Sequence, residues 1–130
     1  MRIISGLFKG KKILSPINLQ TRPLKDLVKE SIFNIINHSP KLLINIQNST
    51  ILDLFSGVGS FGLECLSRGS NNITFVEKDK NAVEILKENI MALSVSNYTT
   101  VVEVDIFQFI KKKIITKFEI IFLDPPFIDN

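Results

Sequence analysis

The sequence has few residues of the kinds that form covalent cross-links or metal sites, with one cysteine, Cys65, and one histidine, His38. A single cysteine excludes an internal disulfide and fits a reducing cytosol, so we expect a cytoplasmic location. Because no second metal-type ligand stands at a useful spacing from Cys65, we expect no metal site and place the thiol on a buried helix face. His38 is expected to be a cation at the C-terminal end of a helix.

Long hydrophobic runs are also missing. Although 45% of the 130 residues are hydrophobic, no run reaches about 18 residues, so we expect no transmembrane helix and no membrane partner. The charged residues of the N-terminus lie within and after its apolar residues, which is the wrong order for a secretory signal. No internal repeat or low-complexity linker is visible, and the length is that of one domain.

Positive charge is concentrated in the first part of the chain. Residues 1–30 carry seven basic and two acidic residues, a net charge of +5, whereas the other hundred carry nine basic and eleven acidic residues, a net charge of −2. This asymmetry favours an anionic partner that binds from one side, and nucleic acid is the commonest such partner. A lysine cluster that only keeps the surface soluble explains the charge equally well.

The order of the hydrophobic segments predicts an α/β fold. Residues 1–19 have the pattern of a basic β-hairpin or extended arm, and Pro23 is well placed to begin a helix that ends near residue 38. From residue 50 onward, strands are predicted at 50–55, 72–77, 99–104 and 118–123, separated by helices that Asp79 and Gly69 are suited to cap. Strands that are apolar on both faces and alternate with helices form a covered parallel sheet in a Rossmann-like arrangement.

Each predicted strand brings a carboxylate to the same edge of that sheet, where ligands bind. A glycine loop lies between the first strand and the next helix. The four acids and the three glycines are Asp53, Glu77, Asp105, Asp124, Gly57, Gly59 and Gly62. One such placement is unremarkable, but four beside a glycine loop predict a binding site.

The glycine loop alone does not identify the ligand, because nicotinamide, flavin and sulfonium cofactors all use similar loops. Glu77 follows Gly57 by twenty residues, a spacing typical of an acid that binds ribose hydroxyls. Asp53 precedes the loop, where its charge would oppose a dinucleotide pyrophosphate but attract an ammonium and a sulfonium. The pattern therefore favours S-adenosylmethionine, and a nicotinamide-binding oxidoreductase is the weakest alternative.

The segment DPPF, residues 124–127, places an acid, two prolines and an aromatic ring at the end of a strand. An exocyclic amine of a nucleobase is a poor nucleophile because its lone pair is delocalised into the ring. A carboxylate that accepts one N–H, and a carbonyl held by two rigid prolines, would orient that lone pair while the aromatic ring stacks on the base. The carboxylate would also stabilise positive charge on the nitrogen. The segment therefore indicates methyl transfer to a base amine.

Several segments together resemble the ribosomal small subunit methyltransferase D family, namely MRIISG, TRPLKDLVKESIFN, LDLFSGVGSFGLECLSRG, FVEKDKNAVEILKEN and FEIIFLDPPF. The glycine loop and DPPF are general to amino-methyltransferases, whereas the N-terminal segments are not. The resemblance implies the S-adenosylmethionine-dependent methyltransferase fold. It also implies methyl transfer to the exocyclic N2 amine of a guanine in 16S rRNA, with the rRNA or the small ribosomal subunit as partner.

The resemblance further implies a role for each candidate residue. Cofactor binding would fall to Asp53, Ser56, Gly57 and Gly59 for the methionine part, Glu77 for the ribose, Asp105 for the adenine amine and Ile106 for the adenine ring. The target base would be handled by Asp124, Pro125, Pro126 and Phe127. RNA would be contacted by Arg2, Lys9, Lys11, Lys12 and Arg22. A valine at Gly59 is expected to block the cofactor.

The chain departs from the family pattern in two ways. Leu24 and Lys29 stand where the family usually has threonine and arginine, and lysine lacks the planar fork of a bidentate phosphate contact. The family also continues well past the DPPF segment. We therefore expect a fragment, with residues 1–49 as an RNA-contacting basic arm and helix and residues 50–130 as the first part of the methyltransferase domain. Its fourth strand would then be an exposed apolar edge.

Two other functions stay open on the sequence alone. An adenine-N6 nucleic-acid methyltransferase is possible because DPPF recognises an amine and not a particular ring. A truncated, non-catalytic RNA-binding remnant would also account for the basic arm and the short chain.

Overall fold

Helices and strands alternate through the described part of the chain in the predicted order. The computed structural model describes residues 1–15, 26–42, 44–112 and 116–125. The helices are α1 Asp26–His38, α2 Ser60–Ser67, α3 Lys80–Ala92 and α4 Ile106–Lys111, and the strands are β1 Thr50–Leu54, β2 Asn72–Val76, β3 Thr99–Val102 and β4 Ile120–Leu123. A 3₁₀ turn over Ser96–Tyr98 precedes β3. None of the helices in these ranges has the length and apolarity to cross a lipid bilayer.

The four strands form one parallel sheet in the order β3-β2-β1-β4. The carboxyl ends of the strands share one edge of the sheet, which we call the rim. The chain moves from β1 outward to β3 and then returns to the other side of β1, so the strand order reverses between β1 and β4. Ligands of open α/β sheets bind at such a reversal, outside the carboxyl ends of the strands. The predicted parallel α/β arrangement is confirmed.

Apolar side chains cover both faces of the sheet. On one face, the aromatic ring of Phe61 in α2 lies with its centroid 5.2 Å from that of Phe33 in α1 and 3.8 Å from that of Phe122 in β4. On the other face, Ile106 of α4 packs with a smaller cluster formed by Leu52, Leu54 and Val76. Helices α1, α2 and α3 therefore share one face of the sheet, and α4 lies on the opposite face.

The residues that begin and end the helices are those that the sequence indicates. The side chain of Asp79 accepts a hydrogen bond from the Asn81 amide and caps α3. Gly69, just beyond α2, has a φ of 101°, the left-handed conformation that commonly ends a helix. His38 lies in the last turn of α1. Cys65 is fully buried on α2, and burial raises the pKa of its thiol, so the expected core position is confirmed.

The N-terminal arm, residues 1–15, is a tight hairpin-like reversal. Arg2 pairs with Lys12 in an antiparallel bridge, and the Ile3 amide donates to the Lys11 carbonyl at 2.9 Å. Ile3 and Ile13 point into the same hydrophobic cluster as α1 and α2. The predicted basic hairpin is therefore present, and its apolar side belongs to the core of the sheet domain. The proposed boundary at residue 49 stays a prediction.

Lys29 is not available for a phosphate contact, in keeping with the departure from arginine noted in the sequence. Its side chain is fully buried, and its Nζ lies 3.3 Å from Oε1 of Glu64, which is itself fully buried. The remaining acceptor positions of Glu64 take the amides of Ile4 and Ser5 at 2.8 and 3.1 Å and Nε of Arg68 at 2.8 Å. The positive charge of Lys29 therefore belongs to the interior, not to the basic surface.

Strand β4 is half covered. Ile120 and Phe122 pack against the main cluster, whereas Ile121 and Leu123 are each 59% exposed. The expectation of an exposed apolar edge at this strand is confirmed. The predicted helix start at Pro23 and the site candidates Arg22, Pro126 and Phe127 lie outside the described residues.

Two glycines of the arm provide a matched test of its packing. Gly6 and Gly10 have nearly equal φ angles of 88° and 85°, but a Cβ on Gly6 would lie 2.0 Å from the Ser67 carbonyl oxygen, whereas one on Gly10 meets nothing within 4 Å. We expect Gly10→Ala to lower the free energy of unfolding by about 1–2 kcal/mol through backbone strain. Gly6→Ala should lower the free energy of unfolding by about 1–3 kcal/mol more than Gly10→Ala does, because the arm must move off α2. Urea unfolding measures both, and equal losses would contradict this packing.

Candidate active site

The turn from β1 into α2 is built from left-handed backbone conformations. Phe55, Gly57 and Gly59 have φ angles of 56°, 57° and 94°. The Ser56 amide donates to the Val76 carbonyl at 3.1 Å, and the Gly59 amide donates to the Ser56 carbonyl at 3.0 Å. A left-handed phenylalanine costs about 1–3 kcal/mol and persists where its surroundings require it, often at functional sites. We call residues 55–60 the glycine loop.

Glycine is required at the three positions of this region for different physical reasons. A Cβ on Gly57 would meet nothing within 4 Å, so the backbone is open there to a bound molecule. A Cβ on Gly59 would lie 2.4 Å from Cδ1 of Leu86, and one on Gly62 would lie 2.4 Å from the ring of Phe75. Gly59→Val would therefore disturb the packing of α2 on α3, so it is not the clean test of cofactor binding that the sequence suggested.

Asp53 is buried on β1, an inner strand of the sheet, close to the rim. It is only 1% exposed, and its Oδ2 has no hydrogen-bond partner. Burial is the largest cause that raises its pKa well above the ordinary value, the charges of Asp124 and Glu77 raise it further, and the Gly62 backbone amide acts in the opposite direction. Asp53 is the fourth residue of β1, one place before the strand ends at Leu54. The Ser56 hydroxyl is a second buried oxygen without a partner.

Glu77 joins the glycine loop to the turn that follows β2. Its Oε1 accepts the Gly57 amide at 2.8 Å, and its Oε2 accepts the Lys78 and Asp79 amides at 3.0 Å each. A carboxylate has about four acceptor positions, so Oε1 keeps one for a ligand hydroxyl. The side chain is partly exposed at the rim, as binding to a ribose would require.

Asp105 and Ile106 lie beyond β3, but they differ in what they can reach. Asp105 is half-buried and caps α4 by accepting the Phe107 amide at 2.8 Å, which leaves acceptor capacity for an amine. Ile106 is only 6% exposed and packs with Leu52 and Leu54. Most of its side chain is therefore committed to the core, and its predicted contact with an adenine ring would use a small remaining surface.

Asp124 directly follows β4 at the rim and is exposed, as is Pro125. The parallel register pairs Asp53 with Phe122 and Leu54 with Leu123, so Asp124 follows one step beyond the end of β1. Its charge is one of the smaller causes that raise the pKa of Asp53, after burial, so the two carboxyl groups lie within electrostatic reach of each other. The structure thus brings Asp53, Glu77 and Asp124 to one region beside the glycine loop.

The chain is similar to known proteins over its whole length. The family model described as conserved hypothetical protein 95 matches residues 1–130. A putative rRNA methyltransferase from Bacillus subtilis, YlbH, is 38% identical over 98% of this chain and 67% of its own length. The ribosomal RNA small subunit methyltransferase D of Haemophilus influenzae is 38% identical over 100% of this chain and 65% of its own. A putative methyltransferase structure from Escherichia coli superposes with a TM-score of 0.82 at 33% identity, over 98% of this chain and 64% of that one.

The chain belongs to the ribosomal small subunit methyltransferase D family. It spans about two thirds of the length of the relatives named above. The predicted Rossmann-like methyltransferase fold is confirmed by the superposition. The roles that the family resemblance implies for individual residues stay predictions, and the geometry shows which of them are physically open to a ligand.

In this member of the family, the exposed cations of the arm are spread along α2. Arg2, Lys9, Lys11 and Lys12 are all exposed. At the base of the arm, the Arg2 carbonyl accepts Nζ of Lys29, which also reaches Ser60 at the start of α2. At the tip, the Phe8 amide donates to the Ser67 hydroxyl at the other end of that helix. Arg2 and Lys12 are therefore nearer the rim, and Lys9 is farther from it by about the 12 Å length of an eight-residue helix.

Sequence reasoning missed two residues that hold the glycine loop. Lys29 was noted only as a departure from the arginine that is usual in the family, and Asn89 was not singled out. Asn89 is 2% exposed, and its Nδ2 donates to the Val58 carbonyl at 2.9 Å. The signal in the sequence was the position of Asn89 next to Ile90, on the apolar side of α3, where a polar residue requires buried partners.

The buried carboxyl group of Asp53 predicts a pH dependence of stability. Because its folded-state pKa is raised, the folded state keeps its proton while the unfolded state loses it above about pH 3.9. The free energy of unfolding should therefore fall as the pH rises from there towards the folded-state pKa. Asp53→Asn should remove this fall and exceed the wild type in stability at neutral pH.

Urea unfolding of both proteins between pH 4 and pH 8 measures this effect. Ser56→Ala is the matched control, because it removes a buried, unpartnered oxygen that does not titrate. Its difference from the wild type should stay constant with pH. A constant difference for Asp53→Asn as well would contradict the assignment of the pH dependence to Asp53.

Proposed function

We propose that this chain carries the donor-binding and base-binding residues of an S-adenosylmethionine-dependent methyltransferase that acts on the exocyclic N2 amine of a guanine in 16S rRNA. The observation that carries the proposal is the buried, unpartnered oxygen of Asp53, which lies beside an open glycine loop and within the electrostatic reach of Asp124. The relatives named as rRNA methyltransferases supply the class of acceptor. Membership of the family supports the guanine amine as the target.

The residues at the rim fit the proposed donor. When bound, S-adenosylmethionine supplies an electrophilic methyl group on a sulfonium, together with an ammonium and an adenosine. Asp53 would accept the ammonium, which offsets the cost of burying its ionised carboxylate. The free acceptor position of Glu77 would take a ribose hydroxyl, and the Asp105 carboxylate would take the adenine amine. The open side of Gly57 would admit the ligand against the backbone.

Asp124 would act on the acceptor. Its exposed carboxylate at the end of β4 can accept one N–H of an incoming base amine and orient the remaining lone pair. A fixed negative charge there also stabilises the positive charge that develops on the nitrogen during methyl transfer. The paired amine of a duplex cannot reach this position, so the base must be unpaired or flipped.

Removal of the Asp124 carboxylate should separate turnover from donor binding. We expect Asp124→Ala to lower kcat by about 10²-fold or more, since a preorganised charge at the reacting centre is lost. Affinity for S-adenosylhomocysteine should change by less than about threefold because Asp53, Glu77 and the glycine loop remain. Methyl transfer to purified small ribosomal subunits measures turnover, and calorimetric titration measures affinity.

Glu88→Ala is the control for this experiment, because it removes an exposed carboxylate from the far surface of α3. Equal losses of affinity and turnover in Asp124→Ala would contradict its role at the acceptor. Methylation of DNA in preference to ribosomal subunits would favour the adenine-N6 alternative over the guanine amine.

The exposed lysines of the arm should contribute to RNA affinity through their attraction to phosphates. We expect the triple variant Lys9→Gln, Lys11→Gln, Lys12→Gln to weaken RNA binding and to reduce the slope of log affinity against log salt by about 0.7–0.9 for each phosphate that is no longer neutralised. Three exposed lysines outside the arm, Lys41, Lys87 and Lys112, provide a charge-matched control. A salt titration of RNA binding measures the slope, and equal slopes for the two triple variants would contradict the arm as the RNA-binding surface.

A further inference from the structure

The N-terminal arm has two antiparallel segments, residues 1–4 and 11–15, and each is tied to the glycine loop by one buried polar side chain from a different helix. In the first segment, the Arg2 carbonyl accepts Nζ of Lys29 at 3.1 Å, and the same Nζ lies 3.2 Å from the Ser60 hydroxyl. In the second segment, Leu14 exchanges two hydrogen bonds with the Asn89 side chain, at 2.7 and 3.2 Å. Nδ2 of Asn89 also donates to the Val58 carbonyl at 2.9 Å.

The two anchored loop residues, Val58 and Ser60, flank Gly59. Gly59 has a φ of 94° and is the residue at which the loop turns into α2. Lys29 comes from α1 and Asn89 from α3, so the two side chains hold this turn from separate elements. The position of the loop backbone therefore depends on the position of both segments of the arm.

Because Lys29 and Asn89 are buried, their hydrogen bonds favour the one position of the arm in which all of them form. Lys29 is 0% exposed and Asn89 is 2% exposed, so neither side chain has water as an alternative partner. If the arm moves away, Lys29 loses the Arg2 carbonyl and Asn89 loses both hydrogen bonds to Leu14, which is unfavourable. The two side chains are then held by fewer partners, which weakens their hold on Val58 and Ser60.

We propose that Lys29 and Asn89 are positioning residues that couple the N-terminal arm to the glycine loop, so that the arm and the donor site form one cooperative unit. The proposal rests on the proposed function for the identity of the donor. Because coupling between two sites is reciprocal, donor binding should order the arm, and RNA that orders the arm should tighten donor binding.

The chain offers a matched control at the other end of the arm. The Ser67 hydroxyl accepts the Phe8 amide at 2.9 Å and donates to the Ser5 carbonyl at 2.6 Å. Ser67 lies in the last turn of α2, away from the glycine loop at its start. Ser67→Ala therefore loosens the tip of the arm without touching Val58 or Ser60, and it separates coupling from a general loss of stability.

The first measurement is hydrogen exchange of the full 130-residue chain without ligand. We expect Asn89→Ala to accelerate exchange of the amides in residues 55–60 by about tenfold or more, because the Val58 anchor is lost. Ser67→Ala should accelerate exchange in residues 5–9 and leave residues 55–60 within about twofold of the wild type. Unchanged exchange of residues 55–60 in Asn89→Ala would overturn the proposal.

The second measurement is affinity for S-adenosylhomocysteine, compared at equal loss of thermal stability. Asn89→Ala should bind about tenfold more weakly than Ser67→Ala, a coupling of ordinary size. Addition of the ligand should slow exchange of residues 11–15 in the wild type but not in Asn89→Ala, whereas residues 1–4, which Lys29 still holds, should be slowed in both. Equal affinities in the two variants would overturn the proposal.

Lys29 is tested by conservative rescue. Lys29→Met should loosen residues 55–60, and Lys29→Arg, which keeps a cation for Glu64 and a donor for Ser60, should restore slow exchange there. If Lys29→Met does not fold, Asn89→Ala carries the test by itself. If the wild type and all variants fail to bind S-adenosylhomocysteine while Asn89→Ala still loosens the loop, the proposed function falls and the positioning role stands.

Discussion

The buried carboxylate of Glu64 is the interaction on which the arrangement of this chain depends. It pairs with Lys29, accepts Nε of Arg68, and accepts the backbone amides of Ile4 and Ser5. A buried charge is tolerated only when its acceptor positions are filled, and removal of one partner typically costs about 3–5 kcal/mol. The arm, α1 and α2 therefore meet at Glu64, and α2 carries the glycine loop at its N-terminal end.

Several features of the rim lower the stability of the chain. Asp53 is buried with an unpartnered oxygen, Ser56 carries another, and Phe55 is held in a left-handed conformation. Each of these features lowers the stability of the chain when no ligand is bound. All three lie close together along the turn from β1 to α2. A cationic ligand would supply the missing partner of Asp53, so part of the cost is recovered on binding. Two structural anchors, Lys29 and Asn89, hold this costly turn from outside.

Much of the fold follows from local patterns. Apolar runs of strand length, separated by amphipathic helices, predicted the four parallel strands and their order along the chain, and the caps at Asp79 and Gly69 followed from residue type. The convergence of Asp53, Glu77 and Asp124 also followed, because parallel strands end at one edge. Strand ends were less certain, since hydrophobicity extends beyond the last ladder hydrogen bond. β3 ends at Val102, two residues before the predicted limit.

The sequence by itself determined the α/β class, the glycine loop and the carboxylates at the rim, because these depend on residue type and on spacing along the chain. The tertiary structure decided which charges are buried and which side chains hold the loop. Lys29 is separated from Glu64 by 35 positions and Asn89 from Leu14 by 75, so no local pattern reveals these pairs. Ile106 likewise looked open to a ligand until packing against β1 and β2 placed it in the core. Partners of buried groups depend on which elements meet, and only the packed chain brings them together.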